Sequence, residues 1–264
     1  MAKRVISAVV LIAIAFTCIF LSSISRVLFF CAGGLLCAYE LSKNLERLDV
    51  HCTARIMFIY LPVNALLVLL NTGLLSYIAC FAAAVYGALF SGILHSRISG
   101  NGALYTVFGI AYPCFPFALI MMISVSEIWL ESILTACIAT WICDSFALFG
   151  GMLFGKHKIA PAVSPNKTVE GCISGAVFAS IAGIGVHYLS LLYNPIPLWL
   201  CVLTCFLASS SGQIGDLAES LLKRMIGIKD FSNLIPGHGG MFDRADSLLF
   251  SIPTVFICYY LAGI

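Results

Sequence analysis

The chain has 264 residues, 61% of them hydrophobic and only 10% charged, with a mean hydropathy of +1.05. A soluble domain is roughly one-quarter charged, so this composition reads as an integral membrane protein, and with about 20 residues per membrane helix no length remains for a separate water-soluble domain. The net charge of +2 excludes the strongly basic balance of a nucleic-acid binder.

The opening MAKRVISAVVLIAIAFTCIFLSS has the basic head and apolar body of a signal peptide. Its apolar run is long enough to span, and more spans follow, so it is read as a first membrane helix. Apolar stretches then predict an all-α polytopic fold of about nine spans, near 5–22, 25–41, 55–71, 74–91, 103–124, 130–154, 170–193, 196–212 and 247–264, with the first two open to being one broken hairpin. With the N-terminus cytoplasmic, the basic residues gather in 1–4, 42–54, 92–102, 155–169 and 213–246 or at their border, and Arg26 alone falls outside. The division follows as 1–129, a membrane region of spans one to five, and 130–264, a catalytic region holding the two long polar segments. The twelve cysteines form no CxxC and lie mostly in apolar runs, so they are read as small buried hydrophobes.

Four polar clusters carry the candidate chemistry. Asp144, in WICDSFALFGG, is a carboxylate inside the sixth span; ionised in hydrocarbon it costs about 2.5 kcal/mol or more, so it must face the bundle interior and meet a cation or proton. SPNKTVEG, 164–171, opens the seventh span, with either Ser164 capping a helix that starts at Pro165 or Thr168 capping one that begins with Glu170; in both cases free N–H groups and Lys167 favour an anion. In GQIGDLAESLLKR, 212–224, helical spacing puts Asp216, Glu219, Ser220 and Lys223 on one face, the pattern of a solvated amphipathic helix as much as of a site. Last, IPGHGGMFDRADS, 235–247, places glycines before Asp243 and Asp246, one turn apart if a helix begins near Phe242. No P-loop and no GxGxxG is present. Oxygen ligands interleaved with Lys and Arg are the donor set of a divalent metal and phosphate, which points to phosphoryl or nucleotidyl transfer.

The stretch SLLKRMIGIKDFSNLIPGHGGMFDRAD, 220–246, resembles the signature of the phosphatidate cytidylyltransferases, or CDP-diacylglycerol synthases: S-x-x-K-R, then K-D, an apolar-Pro pair, H-G-G and D-R-x-D. The likeness extends to GQIGDLAES at 212–220, SPNKTVEG and Asp144, roughly 140–250; Ala245 stands where the family usually has a larger residue, and Asn166 occupies a position taken as variable. The resemblance implies transfer of the cytidylyl group of CTP to phosphatidate, a helical membrane fold, Mg²⁺ with room for a second cation, a homodimer, and a bacterial-type protein of the cell (inner) membrane with its active site on the cytoplasmic side. It implies metal binding by Asp144, Asp216, Asp243 and Asp246, and phosphate clamping by Lys167, Lys223, Arg224, Lys229 and Arg244. Ser164, Thr168, Glu219, Ser220 and Asp230 are assigned to the substrates, together with the 237–240 backbone (Gly237, Gly239, Gly240) and His238 as a donor to phosphate. A CTP-dependent lipid kinase and an ion-coupled transporter are the alternatives.

Overall fold

The structure is a computed structural model that describes residues 2–94, 100–234 and 239–264, with side chains described from residue 12 onward within those stretches. It is helical almost throughout. Six helices among the described residues are long and apolar enough to cross a membrane, and shorter apolar helices cover Ile12–Leu21, Ala54–Leu69 and Leu248–Leu261. The chain divides into two compact units, one formed by Met1–Val125 with Ile226–Arg244, the other by Ser126–Met225 with Ala245–Ile264.

The first unit holds α1 (Ala2–Leu21), α2 (Ser23–Leu45), α3 (Ala54–Leu69), α4 (Leu74–Leu94), α5 (Gly100–Gly109) and α6 (Phe115–Ile123). Ser22 separates α1 from α2 and caps the latter, its hydroxyl accepting from the Ser25 N–H while Ser25 reaches back to the Ser22 N–H. α2 is the centre of this unit, with Val27, Cys37, Ala38, Leu41 and Leu45 fully buried. Gly33 and Gly34 let it lie against Phe117 of α6, where a Cβ on either would come within about 3 Å of that ring side chain.

The fifth span, expected as one helix over 103–124, is broken. A π-type turn, Ile110–Cys114, lies between α5 and α6, with Tyr112 extended at φ −148° and ψ 103°. Pro113 has no N–H to donate and cannot continue the regular ladder; such a break is tolerated in a membrane helix when neighbouring groups satisfy the freed backbone. The Tyr112 ring meets Phe242 edge-on at 5.4 Å, which fixes the break against the 226–244 segment.

The second unit holds α7 (Trp129–Phe154), an antiparallel hairpin β1 (Lys158–Ala160) and β2 (Ser164–Thr168), α8 (Val169–Ser190), α9 (Leu198–Ile226) up to Met225, and α11 (Leu248–Leu261); the four-residue α10 (Phe242–Ala245) belongs to the first unit except for Ala245. The hairpin pairs Lys158 with Thr168 and Ala160 with Ser164. It corrects the Ser164–Pro165 cap: Ser164 is in a strand, and Thr168, extended at φ −122°, caps α8 by accepting from the Gly171 N–H at 3.2 Å. The eighth span also runs further than 196–212, because α9 continues through the polar run to Ile226.

α7 and α8 pack backbone against backbone. A Cβ on Gly150 would lie 2.4 Å from Ser174 Cβ, one on Gly171 2.6 Å from the Ala147 carbonyl, and one on Gly175 2.6 Å from the Cys143 carbonyl. Small residues at such a seam replace hydrophobic driving force with close van der Waals contact. Phe146 and Phe178 stack across it at 3.9 Å. The other end of the unit is tied by Glu131, 4% exposed, which accepts from the Asn194 N–H at 3.1 Å.

Gly175→Val is expected to destabilise the purified protein by about 1–3 kcal/mol through overpacking, read as a lowered unfolding temperature in detergent. Gly185→Ala, on the same helix with nothing within 4 Å of its Cβ position, is expected to be neutral or to stabilise by up to about 1 kcal/mol.

Candidate active site

The hairpin and three helices of the second unit enclose a cavity of about 490 Å³ lined by Asp144 of α7, Lys158, Asn166 and Lys167 of the hairpin, and Gln213 and Asp216 of α9, with Thr168 at the start of α8. The glycine seam brings α7 and α8 close enough for Asp144 and the cap of α8 to share one wall. Lys167 forms an ion pair with Asp216 across it. Gln213 donates to Cys143 Sγ at 3.0 Å and to the Cys172 carbonyl at 3.1 Å, bracing α9 on α7 and α8.

Beside the cavity, Asp216, Glu219 and Asp246 each offer a carboxylate oxygen, and the three lie within 4.8 Å of one another. The helical spacing predicted for 216, 219, 220 and 223 is realised on α9: Lys223 Nζ is 2.6 Å from Glu219, and Ser220 Oγ is 3.5 Å from Asp216. Glu219 is fully buried. Gly215 lets the 246 segment close onto α9, since a Cβ there would lie 2.6 Å from the Asp246 carbonyl oxygen. Burial, and after it the nearby Asp216 carboxylate, raise the Asp246 carboxyl above its ordinary value. Three carboxylate oxygens this close repel one another unless cations sit among them, and the donor set is that of a hard divalent ion.

The first unit holds Lys229, Asp230, Gly239, Gly240, Asp243 and Arg244. Asp243, 9% exposed, has its Oδ2 at 2.9 Å from both the Phe231 and Gly240 N–H groups, so this oxygen serves backbone donors. Asp243 belongs to the first unit, and the carboxylate group found among the described residues is Asp216, Glu219 and Asp246 of the second. The Gly240 N–H of the expected phosphate cradle is already used by Asp243. Gly239 has φ +85°, which turns the chain there. Lys229, Asp230 and Arg244 are exposed, as is Arg224 of the second unit, whose Nε donates to the Val163 carbonyl at 3.4 Å. Gly237 and His238 lie outside the described residues.

Sequence reading missed Glu40, Lys158 and Gln213, and took Asn166 as variable. Glu40 carried the same signal that exposed Asp144, a carboxylate inside an apolar span. Lys158 and Gln213 stand next to motifs that were read, but only the fold shows them facing the cavity.

Fold and site together define a polytopic helical membrane protein with an acidic, lysine-flanked cavity. The chain belongs to the cytidylyltransferase family, whose model matches residues 2–262. It is similar to proteins named phosphatidate cytidylyltransferase from Staphylococcus saprophyticus (38% identical over 162 residues, 61% of each chain) and Bacillus subtilis (46% identical over 128 residues, 48% of this chain and 46% of that one). A third, of the same name, from Staphylococcus haemolyticus, is 43% identical over 128 residues, 48% of each chain. The chain spans 61% of the first relative's length and about half that of the other two.

A carboxyl whose folded value is raised binds its proton more readily folded than unfolded, so stability falls as pH climbs through the window from the ordinary carboxylate value to the folded one. In metal-free protein, Asp246→Asn is therefore expected to raise the unfolding temperature near neutral pH, with the gain shrinking as the pH falls toward about 4 and absent below it. Thermal unfolding in chelator across that range checks this; a variant no more stable than the parent at neutral pH contradicts the crowding of the trio.

Proposed function

We propose that this protein transfers the cytidylyl group of CTP to phosphatidate, releasing pyrophosphate and CDP-diacylglycerol for phospholipid synthesis. The observation that carries the proposal is the carboxylate trio of Asp216, Glu219 and Asp246 beside a cavity entered by Lys167; the name shared by the similar bacterial proteins supports the choice of substrates.

The nucleophile, a phosphate oxygen of phosphatidate, is already anionic, so no strong base is needed. The residues must instead hold two anions in line and screen their repulsion. Asp216, Glu219 and Asp246 would hold Mg²⁺, with Asp144 on the facing cavity wall; the bound ion supplies positive charge to phosphate oxygens. Lys167, in its pair with Asp216, and Lys158 face the cavity, where their ammonium groups meet a triphosphate. Thr168 uses its hydroxyl on the Gly171 N–H, which supports a role in ordering the α8 start more than in touching substrate. Asp243, bonded to two backbone N–H groups, is read as holding its loop.

The enzyme is read as a homodimer of the bacterial inner membrane with this site at the cytoplasmic face. Support for the orientation comes from the basic residues, which gather on the side of the 155–169 and 213–246 segments; the dimer rests on the family resemblance. Phosphatidate keeps its chains in the bilayer while CTP stays in water, so the reacting phosphorus atoms must meet at the interface.

Purified protein given phosphatidate and CTP labelled at the α-phosphorus is expected to place label in lipid only when Mg²⁺ is present. Label entering lipid from the γ-position alone would identify a lipid kinase, and solute uptake into liposomes without a lipid product would identify a transporter. Asp216→Asn and Asp246→Asn are expected to lower turnover at least about 100-fold with membrane insertion intact. Lys167→Ala is expected to raise the CTP concentration for half-maximal rate by about tenfold or more.

A further inference from the structure

Glu40 lies in α2, an apolar span, yet is only 2% exposed. Among the described residues, the hydrogen-bond partners of its carboxylate come from the 226–244 segment of the same unit. Oε1 accepts from Ser232 Oγ at 2.5 Å and the Met241 N–H at 3.0 Å, and Oε2 accepts from the Phe242 N–H at 2.8 Å. One turn on, Asn44 donates to the Phe231 carbonyl at 2.7 Å. Gly240 has no side chain because the Glu40 carboxylate fills the place: a Cβ there would lie 2.6 Å from both of its oxygens. Phe242, fully buried, packs on Phe231 at 4.4 Å.

A buried carboxylate is retained where its oxygens meet donors, and here two successive backbone N–H groups converge on it at the start of α10 as they would on a bound anion. The segment so held carries Asp243 and Arg244, and the chain reaches Asp246 four residues after Phe242. We propose that Glu40 is a positioning residue: its carboxylate fixes the backbone at 241–242 and thereby the lead into Asp246, so that the metal requirement of the reaction depends on a residue of the second helix. This rests on the cytidylyltransferase reading for its kinetic consequence, but the backbone clamp itself does not.

Glu40→Gln keeps the size of the side chain but brings amide hydrogens to a place where donors already point, at Oε1 or at Oε2. In this variant, amide hydrogen exchange at Met241 and Phe242 is expected to rise at least about tenfold. The Mg²⁺ concentration for half-maximal rate is expected to rise at least about tenfold, while KM for phosphatidate changes less than about threefold. Ser232→Ala, which leaves both backbone bonds in place, is expected to stay within about threefold of the parent in both readings. Unchanged exchange at Met241 and Phe242 overturns the clamp whatever the substrate proves to be. Faster exchange with a metal requirement within about twofold of the parent overturns the positioning role and leaves Glu40 structural. Should Glu40→Gln not accumulate folded, Gly240→Ala, whose methyl displaces the carboxylate from the other side, must give the same two changes or the proposal fails. Wild-type protein that forms no CDP-diacylglycerol defeats the reading of the reaction and leaves the exchange result to decide the clamp.

Discussion

The close approach of α7 and α8 is the constraint on which the second unit depends. Without Cβ atoms at Gly150, Gly171 and Gly175 the two backbones meet directly, and only at that separation do Asp144 and the hairpin-borne Lys167 line one cavity. Lipid offers helices no hydrophobic reward for associating, so shape has to supply what water supplies elsewhere. Thr168 then has two functions in one position: it ends β2 and starts α8, and this corner aims Lys167 at Asp216 on the third helix.

Electrostatics divides differently between the units. In the second, carboxylates are crowded beyond what their own charges favour, with Lys167 and Lys223 as partial compensation. In the first, Glu40 and Asp243 are each surrounded by backbone donors, so their charge is absorbed by the chain itself. The contrast separates carboxylates that crowd one another from carboxylates that meet backbone donors, although both kinds occur within one short stretch of sequence, Asp246 and Asp243.

Much of this was legible before any fold was known. Composition gave the helical membrane class, Asp144 stood out as an ion in an apolar run, and the 3.6-residue period correctly aligned Asp216, Glu219 and Lys223. What escaped has physical reasons. Proline is tolerated in membrane helices, so nothing at Pro113 announced that the fifth span breaks. The polar run after 212 read as an amphipathic helix lying beyond the end of the eighth span, yet a helix needs only good propensity and satisfied backbone bonds to leave the hydrocarbon, and α9 runs unbroken from the span through it. The helix start expected near Phe242 matches α10, but nothing in the sequence singled out the turn at Gly239, after which the Gly240 N–H donates back to Asp243. Glu40 lay outside every motif, and its role arises from contacts with residues about 190 to 200 positions away.

The length of α9 sets a scale. Its 29 residues at about 1.5 Å rise each make a rod of about 43 Å, against about 30 Å of hydrocarbon, so an upright α9 must emerge by about two and a half turns. Glu219 and Lys223 sit in that terminal stretch, and Asp216 lies at its edge. The helix is thus a ruler standing in the bilayer: the height at which its carboxylates ride above the acyl chains is counted in residues from Leu198, and a single inserted residue would lift them by about 1.5 Å while swinging them about 100° around the axis. Between the elements of a soluble domain an inserted residue can be absorbed by a loop; within a helix that crosses lipid it changes the depth of every side chain beyond it.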